Sequence, residues 1–256
     1  FVLMDREGRI KAMAGGYDFQ RNQYNVIYQG RRQPGSSFKP FVYATALSRG
    51  VLSPRDRISN ERFIWRDPAS GKNWIPKNSG GGYGGSYSVA SAFAHSKNVP
   101  AVRVAEAVGP DAVVAYAHDI FGFESKLDPV LSLALGSGAV SPLEMARGYS
   151  VFQSGGDRVE PYGIYRIIGP EGQVLKTYEP EIDQNVFDPN VSEQIDDFMR
   201  GVVTMGTGKV ARSIEGARGK TGTTQDNRDA WFCGYNSKLI GIGWIANESF
   251  DSATKR

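Results

Sequence analysis

The sequence predicts an α+β domain: an antiparallel sheet formed by N- and C-terminal strands and covered by helices, with a mainly helical region at about 86–150 inserted between the sheet-forming ends. Short apolar-rich runs with strand character open the chain and return toward its end. Between them, apolar residues recur at helical spacing, with Pro at starts and Gly at stops. No internal repeat interrupts this plan, and 1–256 is expected to form one domain.

Phe1 to Met4 and Arg9 to Ala14 flank Asp5-Arg-Glu-Gly8, a hairpin signal with Gly where positive φ is needed. Arg31-Arg-Gln-Pro-Gly35 breaks the chain. Phe38, Phe41, Val42, Thr45 and Ala46 then follow helical spacing up to Gly50, which predicts a helix starting near Ser36. Leu52 to Gly85 is rich in Gly, Pro, Asn and aromatics and is expected to be an irregular functional loop along a rim. Helices are expected at about Ser88 to His95, Pro100 to Val108 and Pro110 to Phe121. Tyr162 to Ile168 and Gln173 to Tyr178 form a second hairpin signal around Gly169-Pro-Glu-Gly172. An amphipathic helix is expected from Ser192 to Met205, with Ile195, Phe198, Met199 and Val202 on one face. Gly219 to Thr223, Ala230 to Tyr235 and Leu239 to Ile245 are strand patterns.

The chain's 256 residues, 40% hydrophobic and 22% charged, suffice to bury one sizeable core. Lys and Arg total 30 against 27 acidic residues, and the net charge of +3 gathers into no basic tract, which argues against nucleic acid as a partner. No run approaches the roughly 20 apolar residues of a membrane span. Phe1-Val-Leu-Met-Asp5 lacks the order of a signal peptide, and an opening in mid-strand without Met is expected of a piece cut from something longer. The single cysteine, Cys233, sits in an apolar strand pattern and reads as a buried structural thiol.

Three segments carry residues suited to chemistry. Ser36-Ser-Phe-Lys39 places a hydroxyl and an amine at i and i+3, on one side of a helix and within reach of each other, with Pro40 confined to the first turn. Ser36 would then lie where free N–H groups and the helix dipole favour a developing oxyanion. The bland reading is a capping serine. The same pattern recurs as Ser252-Ala-Thr-Lys255 in a polar tail, and that copy is read as a chance match. Ser96-Lys-Asn98 is expected on a turn between two helices, and its bland reading is capping of the helix at Pro100. Lys220-Thr-Gly222-Thr223 starts a strand, and its Gly suggests close approach by another backbone or ligand. Alternation puts Lys220 and Gly222 on one face and Thr221 and Thr223 on the other, both threonines being usable if the strand is an edge.

This set, in this order, is shared by penicillin-binding proteins and serine β-lactamases. Arg31-Arg-Gln-Pro-Gly-Ser-Ser-Phe-Lys-Pro-Phe41, Ser132-Leu-Ala-Leu-Gly-Ser137 leading into Val140-Ser-Pro-Leu-Glu-Met-Ala146, and Gly219-Lys-Thr-Gly-Thr-Thr224 with Arg228-Asp-Ala-Trp-Phe232 closely resemble class A, bifunctional penicillin-binding proteins, from about residue 1 to 246. The resemblance implies a D,D-transpeptidase that cross-links peptidoglycan stem peptides through a serine acyl-enzyme and is acylated by β-lactam antibiotics. It assigns Ser36 as nucleophile, Lys39 as general base beside Lys220, and Ser96 as proton relay. Asn98 would hold the substrate amide, and Thr221 and Thr223 with Lys220, on the substrate-binding strand that includes Gly222, the terminal carboxylate. The N–H groups of Ser36 and Thr223 would form the oxyanion hole. It further implies a membrane anchor and a glycosyltransferase domain outside this chain, and a location at the extracytoplasmic, periplasmic face of the membrane. Lys97 departs from the Ser-Asp-Asn of β-lactamases, and its role is open. His95 and His118 fall in no motif, so no metal and no cofactor is expected. A carboxypeptidase or serine β-lactamase of the same fold and a non-catalytic β-lactam sensor remain alternatives. The Glu-x-x-Leu-Asn segment of class A β-lactamases is absent between Ser96 and Lys220.

Overall fold

The computed structural model describes residues 1–16, 18–20, 23–66, 71–224 and 228–246; the Ser252-Ala-Thr-Lys255 copy lies outside the described residues. In chain order, the hairpin β1 (Val2–Asp5) and β2 (Ile10–Met13) leads to a 3₁₀ turn, Gly35–Phe38, that runs into α1 (Lys39–Ser48). The rim follows with β3 (Arg57–Ser59), β4 (Trp65–Arg66), β5 (Asn73–Trp74) and β6 (Ser86–Ser88). Next come α2 (Val89–Ala94), α3 (Asn98–Val108), α4 (Pro110–Asp119), a 3₁₀ turn at Leu131–Leu135, and α5 (Pro142–Ser154). The strands β7 (Arg158–Val159), β8 (Arg166–Ile168), β9 (Val174–Thr177) and β10 (Ile182–Asp183) precede α6 (Pro189–Thr204). After a 3₁₀ turn at Lys209–Ser213, β11 (Arg218–Thr223), β12 (Asp229–Tyr235) and β13 (Leu239–Ala246) close the fold.

The main sheet has the order β11-β12-β13-β1-β2, antiparallel throughout, so the two ends of the chain meet where β13 pairs with β1. This is the expected α+β arrangement, and it leaves β11 as an edge. Helix α5 packs on β12, β13 and β1, α6 packs on β11, and α1 lies behind them against α3, α4 and α6. Every residue of α1 from Lys39 to Leu47 is buried. Phe41 is its centre: Phe121, Phe123, Phe38, Tyr149 and Phe152 stand 4.9 to 5.7 Å from its ring. Each such pair adds about 0.5–1.5 kcal/mol beyond burial, so this cluster fixes the helix that follows Ser36.

Two expectations need correction, and one helix was not individually placed. The segment from Leu52 to Gly85 is not wholly irregular: β3 pairs with β6 and β4 with β5. Its many glycines shorten these ladders without abolishing them. The helix expected from Pro100 begins at Asn98, which places Pro100 inside the first turn. Helix α5 was not anticipated. Its residues are buried around most of the circumference, so no polar stripe reveals a helical period. Its start is nevertheless written in Ser141-Pro-Leu-Glu144, a capping box: Ser141 Oγ accepts from Glu144 N at 3.1 Å and Glu144 Oε2 from Ser141 N at 2.7 Å. Among the described residues no helix is long and apolar enough to cross a membrane.

Candidate active site

Pro34 and Gly35 bend the chain so that Ser36 enters a tight 3₁₀ turn rather than the α-helix itself. Neither that turn nor α1 carries a side-chain cap, so Ser36 is not a capping serine. Its half-buried hydroxyl makes no hydrogen bond among the described residues. The neighbouring Ser37 differs in both respects. It is buried, its Oγ donates to Pro34 O at 2.7 Å, and its carbonyl accepts from Tyr149 OH at 2.8 Å. Of the two adjacent serines, only Ser36 presents an unengaged hydroxyl.

Lys39 is fully buried and needs acceptors for its amine. The i, i+3 spacing predicts contact with Ser36, but Nζ is directed instead at the turn before α3. It lies 2.7 Å from Asn98 Oδ1, 2.8 Å from Ser96 O, 3.2 Å from Lys97 O and 3.3 Å from Ser96 Oγ. Four oxygens outcompete one hydroxyl for a desolvated amine. Ser96 makes this possible by holding φ at +54°, a left-handed conformation that L-residues seldom adopt and that tends to mark functional positions. Ser96 and Asn98 face Lys39 and do not cap α3; Lys97 occupies the cap position, with its amine 5.1 Å from the Tyr87 ring. The first N–H groups of α3 are served from the rim, where Asn78 Oδ1 accepts from Asn98 N at 2.9 Å and Val99 N at 3.2 Å. Nothing in the sequence singles Asn78 out, because its partners lie twenty residues away.

Lys220 approaches the same turn from the sheet. Its buried Nζ donates to Ser96 Oγ at 2.8 Å and to Thr221 O at 3.0 Å. One serine hydroxyl thus touches both lysines. Burial, and then the charge of Lys220, holds the Lys39 amine well below the usual lysine range. Burial pushes Lys220 down to about 7. Along β11, Lys220 and Gly222 are buried, while Thr221 is half-buried and Thr223 exposed on the rim of the edge strand.

Backbone contact between the nucleophile turn and its neighbours is close enough to require glycine. A Cβ on Gly35 would lie 2.6 Å from Thr223 O, one on Gly222 would lie 2.2 Å from Pro34 O, and one on Gly136 would lie 2.2 Å from Gly35 O. The turn bearing Ser36 is therefore pressed between β11 and the end of the Leu131–Leu135 turn. Side chains lock the same junction. Trp231 Nε1 donates to Gln33 O at 3.0 Å, and Arg32 Nε to Asp229 Oδ1 at 3.0 Å. Asp229 also accepts from Trp244 Nε1 and from Thr224 Oγ1, each at 3.0 Å. Sequence reading missed Asp229, whose partners come from separate segments. Among the described residues no group of three or more His, Cys, Asp or Glu could hold a metal ion.

The contacts thus bring two buried amines to one serine, and set the turn bearing the unengaged Ser36 hydroxyl against the sheet edge that carries Thr221 and Thr223. An amine held below the ordinary lysine range gives up its proton more readily and so is more available as a base. Residues 1–246 match the family described as Penicillin binding protein transpeptidase domain. The chain is 38% identical over 250 residues to a protein named Penicillin-binding protein 1A from Neisseria cinerea, covering 94% of this chain and 31% of that relative. It therefore spans about a third of the length of the curated relatives it matches. The fold superposes on the crystal structure of Penicillin-Binding Protein 1A from Haemophilus influenzae with a TM-score of 0.91 and 28% identity, over 98% of this chain and 43% of that one. It also superposes on the imipenem acyl-enzyme complex of penicillin-binding protein A from M. tuberculosis, with a TM-score of 0.82 and 20% identity over 96% of this chain and 68% of that one, a likeness of fold alone.

Proposed function

The chain belongs to the penicillin-binding protein transpeptidase domain family, and from that premise we propose that it is a serine D,D-transpeptidase that cross-links peptidoglycan stem peptides. The observation that carries the proposal is the meeting of Lys39 and Lys220 at Ser96, together with the unengaged Ser36 hydroxyl on the turn whose Gly35 is pressed against Thr223. Lys39, whose hold on a proton is weakened by burial and by the charge of Lys220, swings from the oxygens of Ser96 and Asn98 toward Ser36 and takes its proton. Ser36 Oγ bonds to the carbonyl carbon of the penultimate D-alanine, and the bond to the terminal D-alanine nitrogen breaks. Ser96, in contact with both amines, passes the proton to that leaving nitrogen. An amine of a second stem peptide then attacks the ester, forms the cross-link and restores the Ser36 hydroxyl. The N–H groups of Ser36 and Thr223 receive the oxyanion, Asn98 the substrate amide, and Lys220 with Thr221 and Thr223 the terminal carboxylate. Gly222 keeps β11 close to the turn. A β-lactam acylates Ser36 by the same first step.

The proposal extends beyond the chain. We read it as one part of a longer, membrane-anchored protein that works at the extracytoplasmic face beside a glycosyltransferase domain. No cofactor enters the scheme. A fluorescent penicillin is expected to label the protein covalently, with labelling abolished in Ser36→Ala and retained in Ser37→Ala and Ser252→Ala. Labelling that persists in Ser36→Ala refutes the assignment. Release of D-alanine from a D-alanyl-D-alanine donor separates an enzyme from a sensor, which would release none.

A further inference from the structure

We propose that Thr207 is a positioning residue for the carboxylate end of the cleft: its hydroxyl donates to Thr221 and frees the Thr221 proton for a ligand carboxylate. The inference rests on the reading of Thr221 as a carboxylate-binding residue. The two Oγ1 atoms are 2.6 Å apart, and either could be the donor. Each hydroxyl carries one proton. If Thr221 gave its proton to Thr207, it would have none for an anion. An arriving carboxylate therefore selects the chain Thr207 to Thr221 to carboxylate, in which the charge-assisted bond is the strong one and the second hydroxyl strengthens the first.

The backbone places Thr207 for this task. Gly206 lies so close to the end of α2 that a Cβ would fall 2.0 Å from Ala94 O. Thr207 N donates to that same carbonyl at 3.2 Å, and Gly208 N donates to Val202 O at 3.0 Å. Ala94 ends α2 just before Ser96, so the loop hangs Thr207 from the segment that also positions Ser96 and sets it against β11. Thr207 itself is exposed and so is accessible to a ligand. In the sequence, Met205-Gly-Thr-Gly208 carries the signal: two glycines allow the close approach, and the threonine between them is the only side chain delivered.

The test measures the binding constant and the acylation rate constant of benzylpenicillin separately. Thr207→Val keeps the shape and removes the hydroxyl; it is expected to weaken binding about tenfold while acylation at saturation changes less than about twofold. Thr207→Ser is expected to restore binding. The methyl ester of benzylpenicillin, which lacks the carboxylate, is expected to bind the wild type and Thr207→Val alike. Adding Thr207→Val to Thr221→Val is expected to cost nothing further, because the two hydroxyls act as one chain. Wild-type binding by Thr207→Val beside impaired Thr221→Val overturns the proposal and leaves the carboxylate reading standing. Wild-type behaviour of Thr221→Val removes both. Equal impairment of Thr207→Val and Thr207→Ser makes the residue a packing element and also overturns the proposal.

Discussion

Lys220 and Ser96, 124 positions apart, meet in a 2.8 Å hydrogen bond, and that contact brings a second amine to the hydroxyl that Lys39 already touches at 3.3 Å. Acylation is expected to fall on acidification, as the Lys39 amine takes up a proton and ceases to be a base. Lys220→Gln removes the repulsion that helps to hold Lys39 uncharged, so the acid limb of acylation rate against pH should move to higher pH. The measurement is the pH profile of penicillin acylation in both proteins, where an unmoved limb excludes the coupling.

Burying these amines also links folding to pH. Lys220 titrates near 7 in the folded protein against an ordinary value of 10.5. Between those values the unfolded chain holds the extra proton, so stability rises with pH across this window and is lost as pH falls toward 7. The gain in Tm from pH 7 to pH 9.5 is expected to be larger in the wild type than in Lys220→Met by a few degrees, with about 1 kcal/mol corresponding to roughly 2–4 °C. The buried tyrosines titrate in both proteins, while Lys39 and Cys233 feel the Lys220 charge, so their shifts form part of the difference measured.

Gly35 and Gly50 make a matched pair. Both hold positive φ, at 56° and 68°, but a Cβ on Gly35 would strike Thr223 O at 2.6 Å whereas one on Gly50 meets nothing within 4 Å. Gly50→Ala should cost only the strain of a left-handed alanine, about 1–2 kcal/mol, and leave acylation intact. Gly35→Ala should cost more than that and lower acylation at least about a hundredfold, since β11 must move away from Ser36. Penicillin acylation and urea unfolding of the two variants decide the matter, and equal effects would contradict it.

Glu144 is held below the ordinary carboxylate range: burial alone would raise it, but N–H groups of Ser141, Ser125 and Glu124 and the Ser125 hydroxyl outweigh that cost. A depressed folded value means that its contribution is present above the unfolded value and lost as pH falls through the folded one. Glu144→Gln is expected to destabilise by about 2–3 kcal/mol at pH 7 and by less at pH 3. Equal losses at both pH values would argue against the charge.

Asp229 ties Arg32 to Trp244 and Thr224, and thereby the stretch before Ser36 to β12 and β13. Asp229→Asn should weaken the Arg32 bond and lower penicillin acylation roughly tenfold, with a stability loss of about 2–3 kcal/mol. Unchanged acylation in a folded variant would show that the latch does not position the turn.

The sequence by itself determined the α+β class, the strands at both ends and most helices, because apolar periodicity and Pro or Gly punctuation are local and each element shows them within its own length. It also marked Ser36, Lys39, Ser96 and Lys220, because side chains that work together recur as short strings. It did not reveal α5, whose burial on nearly every side erases the period that betrays a surface helix. Nor could it show that Lys39 turns from Ser36 toward Ser96 and Asn98, or that Thr207 reaches Thr221. Those contacts join residues tens of positions apart, and a desolvated amine or hydroxyl takes whichever partners the packed backbone leaves within about 3 Å. Tertiary structure alone decided them, since only packing brings those partners within reach.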